Sequence, residues 1–441
     1  MTPKFCYFLE NFRLFYHFDE SASGYGEDNG RKIVIRKRRG LSDFIDKNDP
    51  PPLNVIWKDW NGTRLPFLFD EDDSKPLIEN SETGIRINYD IVASACFFLS
   101  GMDEIKNNET LNNGRYPFPD SMIKKLGTAE IPVVNYYFDI FRSALSMAGE
   151  CKRKDLWKGK AFAAAITHDI DNCSSAWTEG SLSELRKGRI FSIPGLLFRR
   201  ITGRDAWFNL AEISQTDLKY ADSSSFYFLP RKGKSGGVKN ADYNIKSAKL
   251  QKTLSDLASA GHETGLHGSH GSHSDRSRLE EEISLVAGGD IAGNRFHFLM
   301  FDQRITPAIL QECGIKYDTT LGFSEMPGFR RGTCFPFLLY DYENDRVSDV
   351  LEIPLIVMDA TLGFRKYLGL DPDEAFERIS PLIDEIIKFN GVFTILWHNT
   401  FFSRYKYQGW KNVYIKILEY CRDKNGYLTS GKNIYERITG K

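Results

Sequence analysis

The stretch Ala165-Ile166-Thr167-His168-Asp169-Ile170-Asp171 reads as a buried strand running out into a polar turn. Side chains alternate faces along an extended chain, so Asp169 and Asp171 point one way and His168 the other. Two carboxylates on one face repel each other unless a cation lies between or beside them, which makes the pair a candidate metal site. A solvated Asp-x-Asp loop is the competing reading, and the stretch alone does not separate the two. The rhythm downstream decides the fold. Short β-type runs at 161–167, 263–267, 295–299, 315–318, 350–357 and 392–398 alternate with amphipathic helical patterns at 247–260, 276–287, 306–313, 372–389 and 411–424. Alternation of this kind specifies an α/β fold, a parallel sheet or barrel covered by helices, whose chemistry gathers at the C-terminal strand ends.

Those ends carry further candidates. Gly261-His262-Glu263-Thr264-Gly265-Leu266-His267-Gly268-Ser269-His270-Gly271-Ser272-His273 places four of the eight histidines within twelve residues. Imidazoles beside carboxylates suit Zn²⁺ and similar divalent ions, and the interspersed glycines let the backbone turn so that several rings face one point. A solvated histidine-rich loop is again the alternative. Asn294-Arg295-Phe296-His297-Phe298 puts Arg295 and His297 on one face, and Thr394-Ile395-Leu396-Trp397-His398-Asn399 delivers His398 at the close of a hydrophobic strand. A lone histidine at a strand end is commonly structural; this succession of ends favours a site.

In order, these motifs resemble the polysaccharide deacetylase family, of the NodB-homology or carbohydrate esterase family 4 type, over about 157–441. The resemblance implies a distorted (β/α) barrel that removes N- or O-acetyl groups from glycans with a divalent metal, commonly zinc. It implies Asp169 as general base, Asp171 as metal ligand, Arg295 as the group orienting Asp169, and His398 as general acid. The family's second motif presents two metal-binding histidines four residues apart. His267 takes the first position, but residue 271 is Gly, so the third ligand is expected to be His270, with His273 and His297 as alternatives. Where typical members have Pro in the third motif, this chain has His297. Trp397 and Asn399 are expected to touch substrate, and Trp397, Phe401, Phe402, Tyr405, Tyr407 and Trp410 either stack on sugar rings or belong to the core. The implied substrate is an acetylated oligosaccharide or polysaccharide precursor. A barrel that has lost catalysis and only binds glycan is the rival reading. Tyr317-Asp318-Thr319-Thr320-Leu321-Gly322-Phe323 and Gly328-Phe329-Arg330-Arg331-Gly332-Thr333-Cys334, with Asp90-Ile91-Val92-Ala93-Ser94 and Gly114-Arg115-Tyr116-Pro117, are similar to a bacterial subgroup that carries an N-terminal module before the barrel.

A chain of 441 residues, 41% hydrophobic and 27% charged, can bury a sizeable core and is long enough for two domains. Residues 1–150 read as a small α+β module with helices at 88–100 and 132–148. The charged stretch Glu150-Cys151-Lys152-Arg153-Lys154-Asp155 marks the expected boundary with the barrel, 151–441. A formal net charge of −1 gives no bulk attraction to nucleic acid or membrane. Two local basic stretches exist: Arg31-Lys32 with Arg36-Lys37-Arg38-Arg39, and 186–204, where six cations sit among Ile190, Phe191, Leu196, Leu197 and Phe198 without an acidic residue. The second suits membrane-surface contact or a lipid-linked anionic substrate, or else a solvated loop or helix with its apolar face on the core. Seven scattered cysteines, none in C-x-x-C spacing, indicate neither disulfides nor a thiolate zinc site, and a cytoplasmic location is expected. The N-terminus does not read as a signal peptide, and Ile91–Leu99 is too short to span a bilayer. Gly233-Lys234-Ser235-Gly236-Gly237 lacks phosphate-loop spacing.

Overall fold

The computed structural model describes residues 3–26, 30–37, 54–81, 84–106, 114–149, 151–286 and 291–441. Arg38, Arg39, the turn cluster at 48–52 and Glu150 lie outside the described residues. The fold is mixed α/β. A ten-stranded sheet is built from β1 (Phe162–Ile170), β2 (Ser225–Phe228), β3 (Glu263–Gly268), β4 (Gly293–Phe296), β5 (Tyr317–Asp318), β6 (Phe337–Asp341), β7 (Arg346–Glu352), β8 (Val357–Met358), β9 (Val392–Leu396) and β10 (Gly426–Thr429). Its order is β6-β7-β5-β4-β3-β2-β1-β9-β8. β2 pairs with the second half of β1 and β10 with the first half; every pairing is parallel except β6 with β7. All nine side chains of β1 are buried, as expected of a strand covered on both faces.

The sheet is curled into an open, distorted barrel, and side-chain contacts require it. In a flat sheet β4 and β1 lie three spacings, about 14 Å, apart, yet Arg295 on β4 donates to Asp169 on β1 at 2.9 Å. Tyr227 on β2 and Tyr317 on β5 likewise meet through their hydroxyls at 2.9 Å. These two rings fill the interior over Gly265 and Gly293, where a Cβ would stand 2.5 and 2.3 Å from ring carbons.

The expected helices are present as Ala248–Ser259, Arg276–Leu285, Thr306–Glu312, Pro372–Phe389 and Trp410–Asp423. The expected strand 350–357 is divided into β7 and β8, because Pro354 between them cannot donate to a ladder. The expected strand 295–299 stops at Phe296, since Phe298 and Leu299 adopt left-handed backbone angles, φ 60° and 56°. Three strands, β2, β6 and β10, and the helices Ala176–Arg186, Ile193–Ile201 and Leu210–Asp217 lie outside the expected elements.

The N-terminal third is α+β. Helices Pro3–Arg13, Ile91–Leu99 and Val133–Met147 pack with a four-stranded sheet (Ser23–Tyr25, Ile33–Ile35, Gly84–Ile87, Ile78–Ser81) and the hairpin Val55–Trp60 with Thr63–Leu68. Asp90 caps Ile91–Leu99 by accepting from Ala93 N at 2.8 Å. Just past the expected boundary, Cys151–Arg153 pairs antiparallel with Tyr16–Phe18. One hydrophobic core runs through both parts of the chain, and Phe15 stacks on Phe335 at 3.8 Å.

A buried ion cluster also joins the two parts. Glu104 accepts from Arg330 Nε and Nη2 at 2.9 and 2.7 Å, and Arg331 Nη2 lies 3.2 Å away. All three side chains are nearly inaccessible to water. Gly101 must lack a side chain, because a Cβ there would sit 1.8 Å from Arg331 Nη1. Glu104→Ala leaves two guanidiniums buried without their carboxylate and is expected to cost about 3–5 kcal/mol of stability. Denaturant unfolding checks this: a midpoint equal to wild type would mean that the cluster contributes nothing.

Candidate metal centre

β1, β3, β4 and β9 bring their C-terminal ends together, and the side chains there build one site. His267 is the penultimate residue of β3, and its Nε2 lies 3.1 Å from Nδ1 of His297, which follows β4. Asp171 Oδ1 stands 3.3 Å from His267 Nε2 and 3.6 Å from His297 Nδ1. Ligand atoms 2.0–2.2 Å from a tetrahedral ion stand about 3.3–3.6 Å from one another, so these three atoms have the spacing of one coordination face. Among the described residues this is the group of three or more metal-ligating side chains whose atoms all lie within 4.8 Å of one another.

Hydrogen bonding fixes which atoms face the site. His267 Nδ1 lies 2.8 Å from the Arg295 carbonyl and His297 Nε2 lies 3.2 Å from the Lys239 carbonyl. A carbonyl only accepts, so these nitrogens carry the protons, and His267 Nε2 and His297 Nδ1 turn lone pairs toward each other. Asp171 Oδ1, buried and without a hydrogen-bond partner, points at the same place. Two lone pairs and a carboxylate oxygen converging in a buried site call for a cation, so the donors present fit a divalent metal.

The electrostatics agree. Burial would raise the Asp171 carboxyl, but His297, His267 and His398 outweigh it and hold Asp171 far below the usual carboxylate range. Burial pushes His297 down to about 4, which keeps it in its neutral, ligating form. For His267 burial is outweighed by Asp169 and Asp171, and its pKa rises. A proton and a metal ion therefore compete for this ring.

Two side chains with chemistry flank the cluster. Arg295, fully buried, donates through Nη1 to Asp169 Oδ1 and Thr167 Oγ1, and through Nε and Nη2 to the carbonyl and hydroxyl of Thr319. Asp169 is left with Oδ2 facing inward, 3.6 Å from His267 Nε2. On the other side His398 Nε2 lies 3.8 Å from Asp171 Oδ2, while its Nδ1 meets Asp359 Oδ1 at 2.7 Å. Asp359 also accepts from His398 N at 2.6 Å. Burial would lower the His398 imidazolium, but Asp359, then Asp171 and Asp169, push it up to about 10. His168 points away, as the alternation requires, and bonds to Asp217 and the Trp397 carbonyl.

Residues 6–150 match DUF7033, a family of unknown function. No curated protein matches the chain. Several solved structures are similar to about two-thirds of it. A protein of Mycobacterium smegmatis assigned as a polysaccharide deacetylase shares 18% identity over 64% of this chain and 91% of that one, with a TM-score of 0.43. PuuE allantoinase shares 13% identity over 65% and 93%, at 0.42. Peptidoglycan deacetylase PdaC of Bacillus subtilis shares 13% over 64% and 93%, at 0.25. The chemistry of the site therefore rests on its own geometry.

Several expected site residues lie elsewhere. His270, taken first as the third ligand, stands outside the cluster and faces the Lys234–Lys239 hairpin, near Gly236. Glu282 ties Ser269 to the helix Arg276–Leu285, and Gly271, at φ 94°, turns the chain away from the pocket. His273 is buried beside Phe296 and Gly114, not in the cluster. His297, the remaining alternative, supplies the imidazole instead. Trp397 is fully buried against Trp410 and Tyr414, on the face of β9 opposite His398. Asn399 is buried too and donates to the carbonyls of Asn172 and Trp207, which makes it a brace between loops. Of the six aromatic candidates, Phe401 and Tyr407 line the cavity, stacked at 4.0 Å, together with Phe364 and Tyr367.

Two further residues contribute that the sequence did not mark as part of the site, Arg115 reading there only as part of the N-terminal module. Asp359 follows β8, whose pairing with β9 sets Met358 opposite Leu396 and so places the carboxylate beside His398. Arg115, from the N-terminal third, reaches the cavity, donating to the Phe298 carbonyl at 3.5 Å and the Tyr367 hydroxyl at 3.4 Å. It thereby holds the left-handed Phe298–Leu299 turn directly after His297.

Proposed function

We propose that this chain is a metal-dependent hydrolase that removes acetyl groups, chiefly N-acetyl, from a glycan or glycan precursor. One observation carries the reading: a cation-demanding Asp171–His267–His297 cluster is flanked on one side by a carboxylate held by arginine and on the other by an imidazole held by aspartate. A divalent ion in the cluster, zinc by its donor set, would acidify a water and polarise the acetyl carbonyl. Asp169 Oδ2, its partner oxygen fixed by Arg295, takes the water's proton as oxygen adds to the carbonyl carbon. His398, protonated at neutral pH through Asp359, gives its Nε2 proton to the departing nitrogen as the C–N bond breaks, leaving acetate and an amine. Phe364, Tyr367 and Tyr407 offer faces on which a sugar ring can stack. The reading includes a cytoplasmic location, supported by seven free cysteines.

The rival of a glycan-binding barrel without catalysis was motivated by Gly271 standing where a second histidine was expected; His297 removes that motive. Purified protein incubated with zinc and N-acetylated oligosaccharides tests the proposal. Bound metal with release of acetate is expected, whereas no metal and no acetate at any pH would sink it. Asp359→Asn removes the largest influence raising His398, which then loses its proton at lower pH. The alkaline limb of the kcat/KM profile should therefore move to lower pH, and an unmoved limb would show that Asp359 does not set the acid's protonation.

A further inference from the structure

The helical pair Ala176–Arg186 and Ile193–Ile201 exposes what soluble helices bury. Eight of the eleven exposed large hydrophobic side chains among the described residues fall between Trp177 and Ile201, so they form a patch and not a scatter. Phe191 is 93% exposed, Ile201 76% and Phe198 67%. The first helix buries only Ala176, Gly180 and Glu184, and the second only Leu196, which packs over Gly180. The patch is interleaved with six exposed cations, Arg186, Lys187, Arg189, Arg199, Arg200 and Arg204, and holds no acidic residue between 186 and 204.

We propose that this helical pair docks on the surface of a bilayer containing anionic phospholipid. Apolar side chains in the acyl boundary with cations at headgroup level satisfy both halves of the pattern. A second copy of the chain satisfies only one, because self-association would set six cations against the same six. Neither helix can cross the bilayer: no helix among the described residues is long and apolar enough to do so. The pair is also fastened to the rim of the metal-site cavity. Lys187 donates to the Tyr405 carbonyl at 3.3 Å, Arg189 to Gln408 at 3.0 Å, and Glu179 accepts from Lys406 at 2.7 Å, with Glu179, Lys406 and Tyr407 lining the cavity. Docking would thus set the cavity mouth close to the headgroups.

Co-sedimentation of the full-length protein tests this, with vesicles of phosphatidylcholine alone and of phosphatidylcholine mixed with phosphatidylglycerol. Sedimentation with the anionic vesicles is expected, weakening as salt is raised. A cation near the surface contributes about fivefold in partitioning, so R199E/R200E should weaken binding by at least about 25-fold. Phe191→Ser with Phe198→Ser should abolish it while leaving thermal unfolding and metal content unchanged, since both side chains face solvent. Wild-type protein remaining in the supernatant at low salt would overturn the proposal, as would unaltered sedimentation of the serine variant. Sedimentation velocity showing a dimer that the serine variant loses, without vesicle binding, would reassign the patch to contact between copies. Neither readout depends on deacetylase activity.

Discussion

Asp169→Asn is expected to lower acetate release by about 10²–10⁴-fold and to leave bound metal in place. The substitution preserves shape, and the amide oxygen can still accept from Arg295 Nη1 where Asp169 Oδ1 does so at 2.9 Å. What it removes is the ability of the inward atom to take a proton. Metal should stay because the converging lone pairs belong to Asp171, His267 and His297. Steady-state kinetics with metal analysis on the same preparation separates these effects, and wild-type turnover in this variant would eliminate Asp169 as the base.

His297→Ala should release the metal altogether, whereas His270→Ala and His273→Ala should keep it. Deleting an outer partner of a metal ligand typically weakens binding by about 10–100-fold, and loss of one of three protein ligands should exceed that. The three alanine variants measured side by side give a pattern that non-specific damage would not reproduce. His270 is half-buried near Gly236, His273 is packed beside Phe296, and of the three only His297 has a lone pair aimed at Asp171 Oδ1. Metal retained by His297→Ala and lost by His270→Ala would move the third ligand back into the loop after β3.

The local alternation of an extended chain made much of this site legible. It put Asp169 and Asp171 on one face and His168 on the other, and it put Arg295 with His297. The same rule, applied to β9, separates Trp397 from His398; the substrate role expected of Trp397 set it aside. Where legibility failed, the cause was non-local. His270 leaves the site because Glu282, on the next helix, holds Ser269. Asp359 reaches His398 only through the pairing of a two-residue strand isolated by Pro354. β2, with four buried residues and no alternation, offered no period to detect. The exposed face of 186–204 could not be told from a buried one, because the same apolar spacing serves both.

Arg115 carries a consequence for how this chain can change over time. A separate module can be gained, lost or exchanged when only a linker joins it to its neighbour. Here the N-terminal third lends a side chain to the cavity and a carboxylate, Glu104, to two buried arginines of the barrel, and it shares one hydrophobic core with it. Loss of the N-terminal third would therefore strip the barrel of a cavity side chain, of the carboxylate that pairs its two buried arginines and of part of its core.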